Sequence, residues 1–204
     1  MSGIDLSFVS GKEKFNYRVC AVIISEGKLL AMHDERSPYY YLPGGRVQMG
    51  ETAEAAVVRE VQEELEITPE IIRPLWLNQA FFTEDVDGLH YHELCLYFLM
   101  DISHTDLLSK GEKFTLLEWH HTHKFEWLPF ERLEQEYFYP LFLKKEIFHL
   151  PEALQLFPFQ GLSPLHQIGV PVGNAVSLLH HFILLAFAAR GKVGPPHVVK
   201  SVVI

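Results

Sequence analysis

Residues 44–67 read GGRVQMGETAEAAVVREVQEELEI, a glycine-rich turn followed by a long run of residues that favour an α-helix. Glu60, Glu63 and Glu64 lie in the helical half, where they project within one arc about a third of the circumference wide. The neighbouring arc is apolar and is expected to face a core. It consists of Val57, Val58, Val61 and Leu65. The stretch therefore predicts an amphipathic helix with three carboxylates beside its buried face.

Three carboxylates on one arc of a helix repel each other, at a cost of roughly 0.2–0.5 kcal/mol per pair. A hard divalent cation would turn that repulsion into attraction, and Mg²⁺ commonly binds through one or two carboxylates together with substrate phosphates. A solvated acidic helix face is the alternative interpretation. The glycine turn at Gly44 and Gly45, directly before the helix, favours the metal site.

The spacing of charged residues within this stretch is specific. Gly45 is followed after five residues by Glu51, and after seven more by the segment REVQEELEI at residues 59–67. This pattern resembles the Nudix box, the motif of the Nudix hydrolase (MutT-like) superfamily. One position departs from it, because Glu66 stands where the family has the glycine that ends the helix. A non-glycine residue in that left-handed conformation costs about 1–2 kcal/mol.

The resemblance implies an α/β fold, the Nudix α/β/α sandwich, in which a mixed β-sheet lies between helices and the box forms a loop-helix-loop. It covers the chain to about residue 150, which makes residues 1–150 the expected hydrolase domain. The implied reaction is Mg²⁺-dependent hydrolysis of a pyrophosphate bond in a nucleoside diphosphate linked to another group. Mn²⁺ is a possible substitute for Mg²⁺.

The resemblance also implies roles for individual residues. The expected metal ligands are Glu60, Glu63, Glu64 and the backbone of Gly44. Gly44 and Gly45 would hold the pyrophosphate, while Glu51 and Arg59 would orient the helix glutamates. Many family members use one more glutamate, from outside the box, as a metal ligand or general base. The candidates for it here are Glu93, Glu112 and Glu118.

Two further features bear on the substrate. Tyr41 ends a run of three tyrosines just before the box, where it could stack on a base or simply pack in the sheet. Family branches specific for ADP-ribose or dinucleoside polyphosphates often carry a proline or a tyrosine downstream, and this chain has Phe82 and Thr83 there. A nucleoside triphosphate, oxidised or not, is therefore the first expectation. ADP-ribose or another nucleotide-sugar is the alternative, and a nucleotide-sensing module without hydrolysis is an alternative of another class.

The composition of the chain limits the classes of partner and site that are expected. The net charge of -9 argues against a nucleic-acid backbone as partner and favours handling anions through a metal. Cys20 and Cys95 each lie in an apolar run, which predicts buried thiols rather than a disulfide framework or a zinc site. The N-terminal residues lack a basic region followed by an apolar stretch, so we expect no signal peptide and a cytoplasmic protein.

Outside the box, alternating and β-branched residues predict strands. A hairpin is expected over residues 17–33, with further strands at 75–83 and 91–102. Residues 103–117 are polar and predict a loop, and residues 134–149 predict closing helical structure broken at Pro140.

The end of the chain differs in composition. All 26 acidic residues, but only 14 of the 17 Lys and Arg, precede residue 160. Residues 151–204 are therefore expected to form an atypical extension, helical or partly disordered, and an altered reading frame or a non-native end would give the same composition. Its apolar block at 175–189 is too short to span a bilayer. The block favours a helix that packs on the domain or across a homodimer, with a membrane tail anchor as the alternative.

Overall fold

The protein was analysed as a computed structural model that describes residues 3–35, 37, 39–84, 87–118 and 121–160. Eight strands and three helices make up this part, together with a 3₁₀ turn at Leu107–Lys110. The strands are β1 (Ser7–Ser10), β2 (Glu13–Ser25), β3 (Lys28–His33), β4 (Glu70–Thr83), β5 (His90–Asp101), β6 (Lys113–Glu118), β7 (His121–Pro129) and β8 (Gln155–Gln160). The helices are α1 (Ala53–Leu65), α2 (Phe130–Leu133) and α3 (Leu143–Glu146).

The strands form a mixed sheet in the order β6-β7-β3-β2-β5-β4-β8, with β1 added along β2. The central pair β2 and β5 is parallel over eleven residue pairs, and β4 and β8 are also parallel. All other neighbours are antiparallel. The predicted hairpin is present, but β2 and β3 pair only next to their turn, where Ile24 pairs with Leu29 and Ser25 pairs with Lys28. Farther from the turn, the same edge of β2 forms backbone hydrogen bonds with the loop that leads into α1.

Two hydrophobic clusters occupy the two faces of the sheet. Alternate residues of β2 separate onto them, as the two-residue period of a strand requires: Val19 and Ile23 face α1, whereas Cys20 and Val22 face the opposite side. The second cluster is closed by the segment that contains α2 and α3. Helical segments therefore cover both faces, and the expected α/β/α arrangement with a mixed sheet is confirmed.

Helix α1 has well-defined ends. Thr52 caps its first turn by accepting a hydrogen bond from the Ala55 backbone N–H, at 3.2 Å. At the other end Glu66 adopts the left-handed conformation with φ 60° and donates its N–H to the Gln62 carbonyl. The helix thus ends where a glycine would end it, although the residue is a glutamate.

Outside the box, one expectation is wrong and another holds only in part. Residues 113–117, at the end of the segment 103–117 expected to be a loop, belong to the edge strand β6, which pairs with β7 along its whole length. The closing segment 134–149 contains only the single turn α3 instead of a longer helix. Its backbone bonds elsewhere, because the Tyr137 carbonyl accepts from the Tyr40 N–H (2.8 Å) and the Tyr139 N–H donates to the Tyr40 carbonyl (2.9 Å).

The chain divides into two compact units, Met1–Ser163 and Pro164–Ile204. The described residues all belong to the first unit. The predicted apolar block at 175–189 lies outside them. Within the described part, no helix is long and apolar enough to cross a membrane.

Candidate active site

Helix α1 presents its carboxylates to the glycine loop because its opposite arc is fixed in the core. Val57, Val61 and Leu65 are fully buried against the sheet. This leaves Glu64 at the buried edge of the helix, with 6% of its surface exposed, and Glu63 on the outside. The three predicted carboxylates therefore lie along one side of α1 and differ in solvent exposure, with Glu64 buried and Glu63 exposed.

Arg59 ties these carboxylates to the loop before the helix. Its guanidinium binds Glu51 through two parallel hydrogen bonds, Nε to Oε1 at 2.8 Å and Nη2 to Oε2 at 3.0 Å. Nη1 donates to Glu60 at 2.7 Å and to Glu63 at 3.0 Å, and Nη2 also donates to the Arg46 carbonyl at 2.9 Å. The hydrogen bonds from Arg59 lower the pKa of Glu51 below its ordinary value. Every nitrogen of this guanidinium is thus used within the site.

Gly44 and Gly45 let the loop backbone approach these groups. The Gly44 N–H donates to Glu64 Oε2 at 2.9 Å. Gly44 has φ +144°, and an added Cβ would lie 2.2 Å from the Val19 carbonyl oxygen. A Cβ on Gly45 would lie 2.2–2.4 Å from the carboxylate atoms of Glu60. At Gly44 only glycine permits this approach, because the clash is with backbone atoms, whereas at Gly45 an added Cβ would require the Glu60 carboxylate to move.

The donor set suits a hard divalent cation. Carboxylate oxygens on one helix edge, together with a backbone carbonyl, are ligands that Mg²⁺ takes. Burial raises the pKa of Glu60 above its ordinary value, so its negative charge is poorly stabilised by the protein alone. In the described part of the chain, the acidic and histidine ligand atoms that already lie within 4.8 Å of one another belong instead to Glu70, Asp101 and His104. Glu70 begins β4 and Asp101 ends β5, whereas His104 lies in the loop after β5 and already contacts the Thr68 carbonyl.

Of the three glutamates proposed from outside the box, Glu93 and Glu112 lie in different surroundings, and the side chain of Glu118 is outside the described part of the chain. Glu93 projects from β5, and its Oε2 accepts a hydrogen bond from Asn16 Nδ2 at 2.9 Å. Asn16 is buried and is held in turn by Arg46 Nε, at 2.9 Å. Glu112 is exposed and pairs with Lys28 at 2.5 Å, and Glu118 ends the edge strand β6. Hydrogen bonds therefore connect Glu93, and not Glu112, with the residues around the box.

Tyr41 is less available than its position in the sequence suggests. Its backbone pairs with Met32, its hydroxyl donates to Asp34 at 3.2 Å, and burial raises its pKa. Tyr39 instead contacts several aromatic rings edge-on, with centroids 5.2–6.1 Å away. These rings belong to Tyr41, Tyr137 and Tyr139. Tyr137 and Tyr139 are 55% and 40% exposed, which makes them the more accessible aromatic surface near the loop.

Sequence reasoning missed Arg18 and Asn16. Both lie in β2, which pairs along its length with β5, the strand that carries Glu93. Arg18 Nη2 donates to the Gly44 carbonyl at 3.1 Å. A cation and an amide inside an otherwise apolar strand were the available signal, the same kind of signal that drew attention to Glu93.

Comparison with known proteins decides the family. A sequence model of the NUDIX domain matches residues 14–147, about two thirds of the chain. The chain belongs to the Nudix family. The family that residues 44–67 predicted is thereby confirmed. The Nudix family is a family of pyrophosphohydrolases, so the expected class of enzyme is confirmed with it.

Individual relatives of this Nudix chain match over shorter segments. It is 32% identical over 87 residues to an ADP-ribose pyrophosphatase of Methanocaldococcus jannaschii, which covers 41% of this chain and 49% of the relative. It is 68% identical over 28 residues to an 8-oxo-dGTP diphosphatase of Escherichia coli, which covers 14% and 22% of the two chains. The chain thus spans about half of the first relative and less than a quarter of the second.

A solved structure agrees with the fold. The crystal structure of a MutT protein from Bacillus halodurans superposes with a TM-score of 0.50, covering 69% of this chain and 86% of the other. The two sequences are 15% identical, so this likeness concerns the architecture of the sheet and its helices alone.

Proposed function

We propose that this Nudix chain hydrolyses the pyrophosphate bond of a nucleoside diphosphate linked to another group, with Mg²⁺ as its cofactor. One observation carries the proposal. Arg59 holds Glu51, Glu60 and Glu63 in a single hydrogen-bonded array beside the Gly44–Gly45 backbone. An acidic face that served only solubility would not require a buried carboxylate at Glu64 that accepts a hydrogen bond from the Gly44 backbone N–H.

The proposed division of labour follows from the positions of the side chains. Glu60, Glu63, Glu64 and the Gly44 carbonyl would hold the cation. The cation, when bound, offsets negative charge on the pyrophosphate and makes water more acidic. Arg59 and Glu51 keep the carboxylates in place, since the bidentate pair between them fixes the orientation of the guanidinium. Gly44 and Gly45 allow the phosphates to approach the loop backbone.

Glu93 is the proposed acceptor of the proton from the attacking water. Its bond to Asn16 uses one carboxylate oxygen and fixes the side chain on the sheet, next to β2. A carboxylate held by one hydrogen bond keeps a second oxygen with which to accept a proton. The exposed pair of Glu112 with Lys28 offers no comparable support for that role.

For the substrate we propose a nucleoside triphosphate, with an oxidised base as one form of it. The short match to a diphosphatase named for 8-oxo-dGTP supports this choice. ADP-ribose or another nucleotide-sugar is the second candidate, because the longer match is to a protein named an ADP-ribose pyrophosphatase. The two candidates share the pyrophosphate group and differ in what is attached to it.

A substrate panel tests the reaction directly. Phosphate or nucleoside monophosphate release would be measured from nucleoside triphosphates, oxidised dGTP, ADP-ribose, diadenosine polyphosphates and CDP-alcohols, with Mg²⁺ and with EDTA. We expect one class to be hydrolysed only with the metal. Binding of nucleotide without release from any compound would contradict the proposal and indicate a sensing module instead.

Glu64→Gln tests the metal assignment. The glutamine keeps the shape of the side chain and an oxygen that can accept from Gly44, but it removes the charge. We expect kcat to fall by about two orders of magnitude or more, with an unchanged unfolding midpoint. Glu54→Gln is the matched control, because Glu54 is exposed in the first turn of the same helix. Near-normal activity in Glu64→Gln would remove Glu64 from the site.

We also propose that residues 1–150 contain the hydrolase domain and residues 151–204 an extension. The family match ends at residue 147, and the first compact unit ends at Ser163. Strand β8, at Gln155–Gln160, pairs with β4, so a shortened chain must keep it. A chain that ends after Ser163 is expected to retain kcat/KM. Loss of activity in that soluble, folded chain would assign the removed residues a part in catalysis.

A further inference from the structure

Arg18 lies directly beneath the glycine loop. Its Nη2 donates to the Gly44 carbonyl at 3.1 Å, and the N–H of the same residue donates to Glu64 at 2.9 Å. Arg18 and Arg46 also form an isolated backbone bridge, which joins β2 to the residue after the glycines. The guanidinium is thereby fixed at the place where the loop meets the box helix.

The guanidinium of Arg18 makes few bonds. It has five N–H donors, yet its Nε is buried and has no hydrogen-bond partner among the described residues. Nε and Nη2 lie on one edge of the planar fork, so the unused N–H points along the side that contacts Gly44. Arg59 differs, because all three of its nitrogens bind protein oxygens within the site. Arg18 therefore still has an N–H donor available for a ligand, whereas every nitrogen of Arg59 is already bonded to the protein.

Charge on Arg18 is maintained by its surroundings. Burial alone would lower its pKa, but Glu93 and then the other nearby acidic groups, Glu64 among them, raise it above the ordinary value. Its positive charge also acts on Glu60 and on Tyr39. A permanent cation thus lies among the carboxylates of the box, beside the tyrosine cluster, with part of its surface exposed.

We propose that Arg18 is a substrate-binding residue that donates from its Nε–Nη2 edge to a phosphoryl oxygen of the pyrophosphate group. The proposal rests on the proposed function, which puts that group at the Gly44–Gly45 loop. A phosphoryl oxygen beside Gly44 would provide the acceptor that the buried Nε lacks, while Nη2 keeps its hydrogen bond to the Gly44 carbonyl. Arg18 also explains how so acidic a site attracts a polyanion.

A purely structural arginine would behave differently. If Arg18 only held the loop through the Gly44 carbonyl, its removal would displace Gly44 and weaken metal binding together with phosphate binding. If it binds the substrate, its removal weakens phosphate binding and does not weaken metal binding, because it takes a positive charge away from the metal ligands. The two roles are therefore separated by measuring the two affinities independently.

The test uses the full chain, inorganic pyrophosphate with Mg²⁺ as the anionic probe, and Mn²⁺ alone as the metal probe. Calorimetry would give the pyrophosphate affinity, and electron paramagnetic resonance the Mn²⁺ affinity. We expect Arg18→Met to weaken pyrophosphate binding by about tenfold to a hundredfold, as for a lost hydrogen bond to a charged group, with Mn²⁺ affinity unchanged or raised because a positive charge beside the metal ligands is removed. Arg18→Lys keeps the charge without the fork and should give an intermediate affinity, and it serves as the test if Arg18→Met fails to fold.

Arg73→Met is the matched control. Arg73 is also half-buried in a strand and also donates to a backbone carbonyl, that of Pro151 at 2.9 Å, but at the other end of the sheet. Its removal should leave both affinities unchanged. Unaltered pyrophosphate binding in Arg18→Met would overturn the inference, and so would a parallel loss of Mn²⁺ binding. Arg18-dependent pyrophosphate binding in a chain that hydrolyses nothing in the substrate panel would support the inference while refuting the proposed reaction.

Discussion

At the scale of single residues, Gly44 links most of the groups around the site. Its N–H binds Glu64, its carbonyl accepts from Arg18, and its φ of +144° belongs to a region that L side chains rarely adopt. An added Cβ would meet backbone atoms, at 2.2 Å from the Val19 oxygen and 2.8 Å from Cys20 Cα. Backbone atoms of a central strand cannot move aside as the end of a flexible side chain can.

Gly44→Ala should therefore be costly. We expect the free energy of unfolding to fall by about 3 kcal/mol, at the upper end of the usual range for such strain because a backbone clash is added to it. Gly88→Ala is the matched control, since Gly88 also has positive φ (+66°) but has nothing within 4 Å of an added Cβ. It should lose about 1 kcal/mol. Urea unfolding of both variants checks the difference, and equal losses would contradict the clash.

At the scale of secondary-structure elements, helix α1 ends at a residue that is not the usual choice. Glu66 has φ 60°, ψ 27° and donates its N–H to the Gln62 carbonyl, as a glycine cap would. The helix end adopts a conformation that suits glycine best, with a glutamate in that position. The element therefore carries a small, local strain.

Glu66→Gly should relieve that strain. We expect a gain of about 1 kcal/mol in unfolding free energy, because glycine adopts the left-handed conformation without a steric penalty. The control is Glu54→Gly in the exposed first turn of the same helix, which should lose up to about 1 kcal/mol. Thermal or urea unfolding gives both values. A loss of stability in Glu66→Gly would mean that the glutamate side chain stabilises the helix end by a contact of its own.

The elements that the sequence predicted well are those whose signals are local. Spacing within residues 44–67 was enough to predict the loop, helix α1 and the direction of its glutamates. Strand β6 was missed because it is a six-residue edge strand with Leu117 71% exposed, so its alternation is weak. The single turn at α3 was missed because residues 137 and 139 bond to Tyr40, nearly a hundred positions away in the sequence.

The same limit applies to the candidate site. Arg18 and Asn16 reach the site only because β2 pairs in parallel with β5 and antiparallel with the loop after Tyr41. Nothing in the local sequence of β2 records those pairings. Glu93 could be suspected from its apolar surroundings, but choosing it over Glu112 required the hydrogen bond to Asn16.

At the scale of the whole molecule, a second polar network joins segments far apart in the sequence. Glu126 is 6% exposed on β7 and accepts from Tyr40 (2.7 Å), Lys113 (3.0 Å) and Arg132 (2.7 Å). Arg132 also binds Glu136. The network connects the edge strand β6, the segment before the box and helix α2. One carboxylate thus joins three segments of the fold through side-chain hydrogen bonds.

This network makes the stability of the protein depend on pH. Burial alone would raise the pKa of Glu126, but hydrogen bonds from Tyr40, Arg132 and Lys113 outweigh it and hold the pKa below the ordinary value of 4.5. A carboxylate with a lowered pKa in the folded state binds protons more readily when unfolded. Its stabilising contribution is therefore complete above about pH 4.5 and is lost as the pH falls through the folded-state pKa.

Glu126→Gln should accordingly destabilise the protein at neutral pH and much less in acid. We expect a loss of about 1–2 kcal/mol at pH 7, at the modest end for hydrogen bonds to charged groups because Arg132 and Lys113 are partly exposed. The difference from the native protein should shrink steadily below pH 4.5. Urea unfolding of both proteins at pH 7 and pH 3 measures it, with Glu131→Gln, an exposed neighbour on α2, as the control. A difference that stayed constant over this range would show that protonation of Glu126 does not weaken the network, and that the loss comes from placing an amide NH2 against the donors that the carboxylate accepts from.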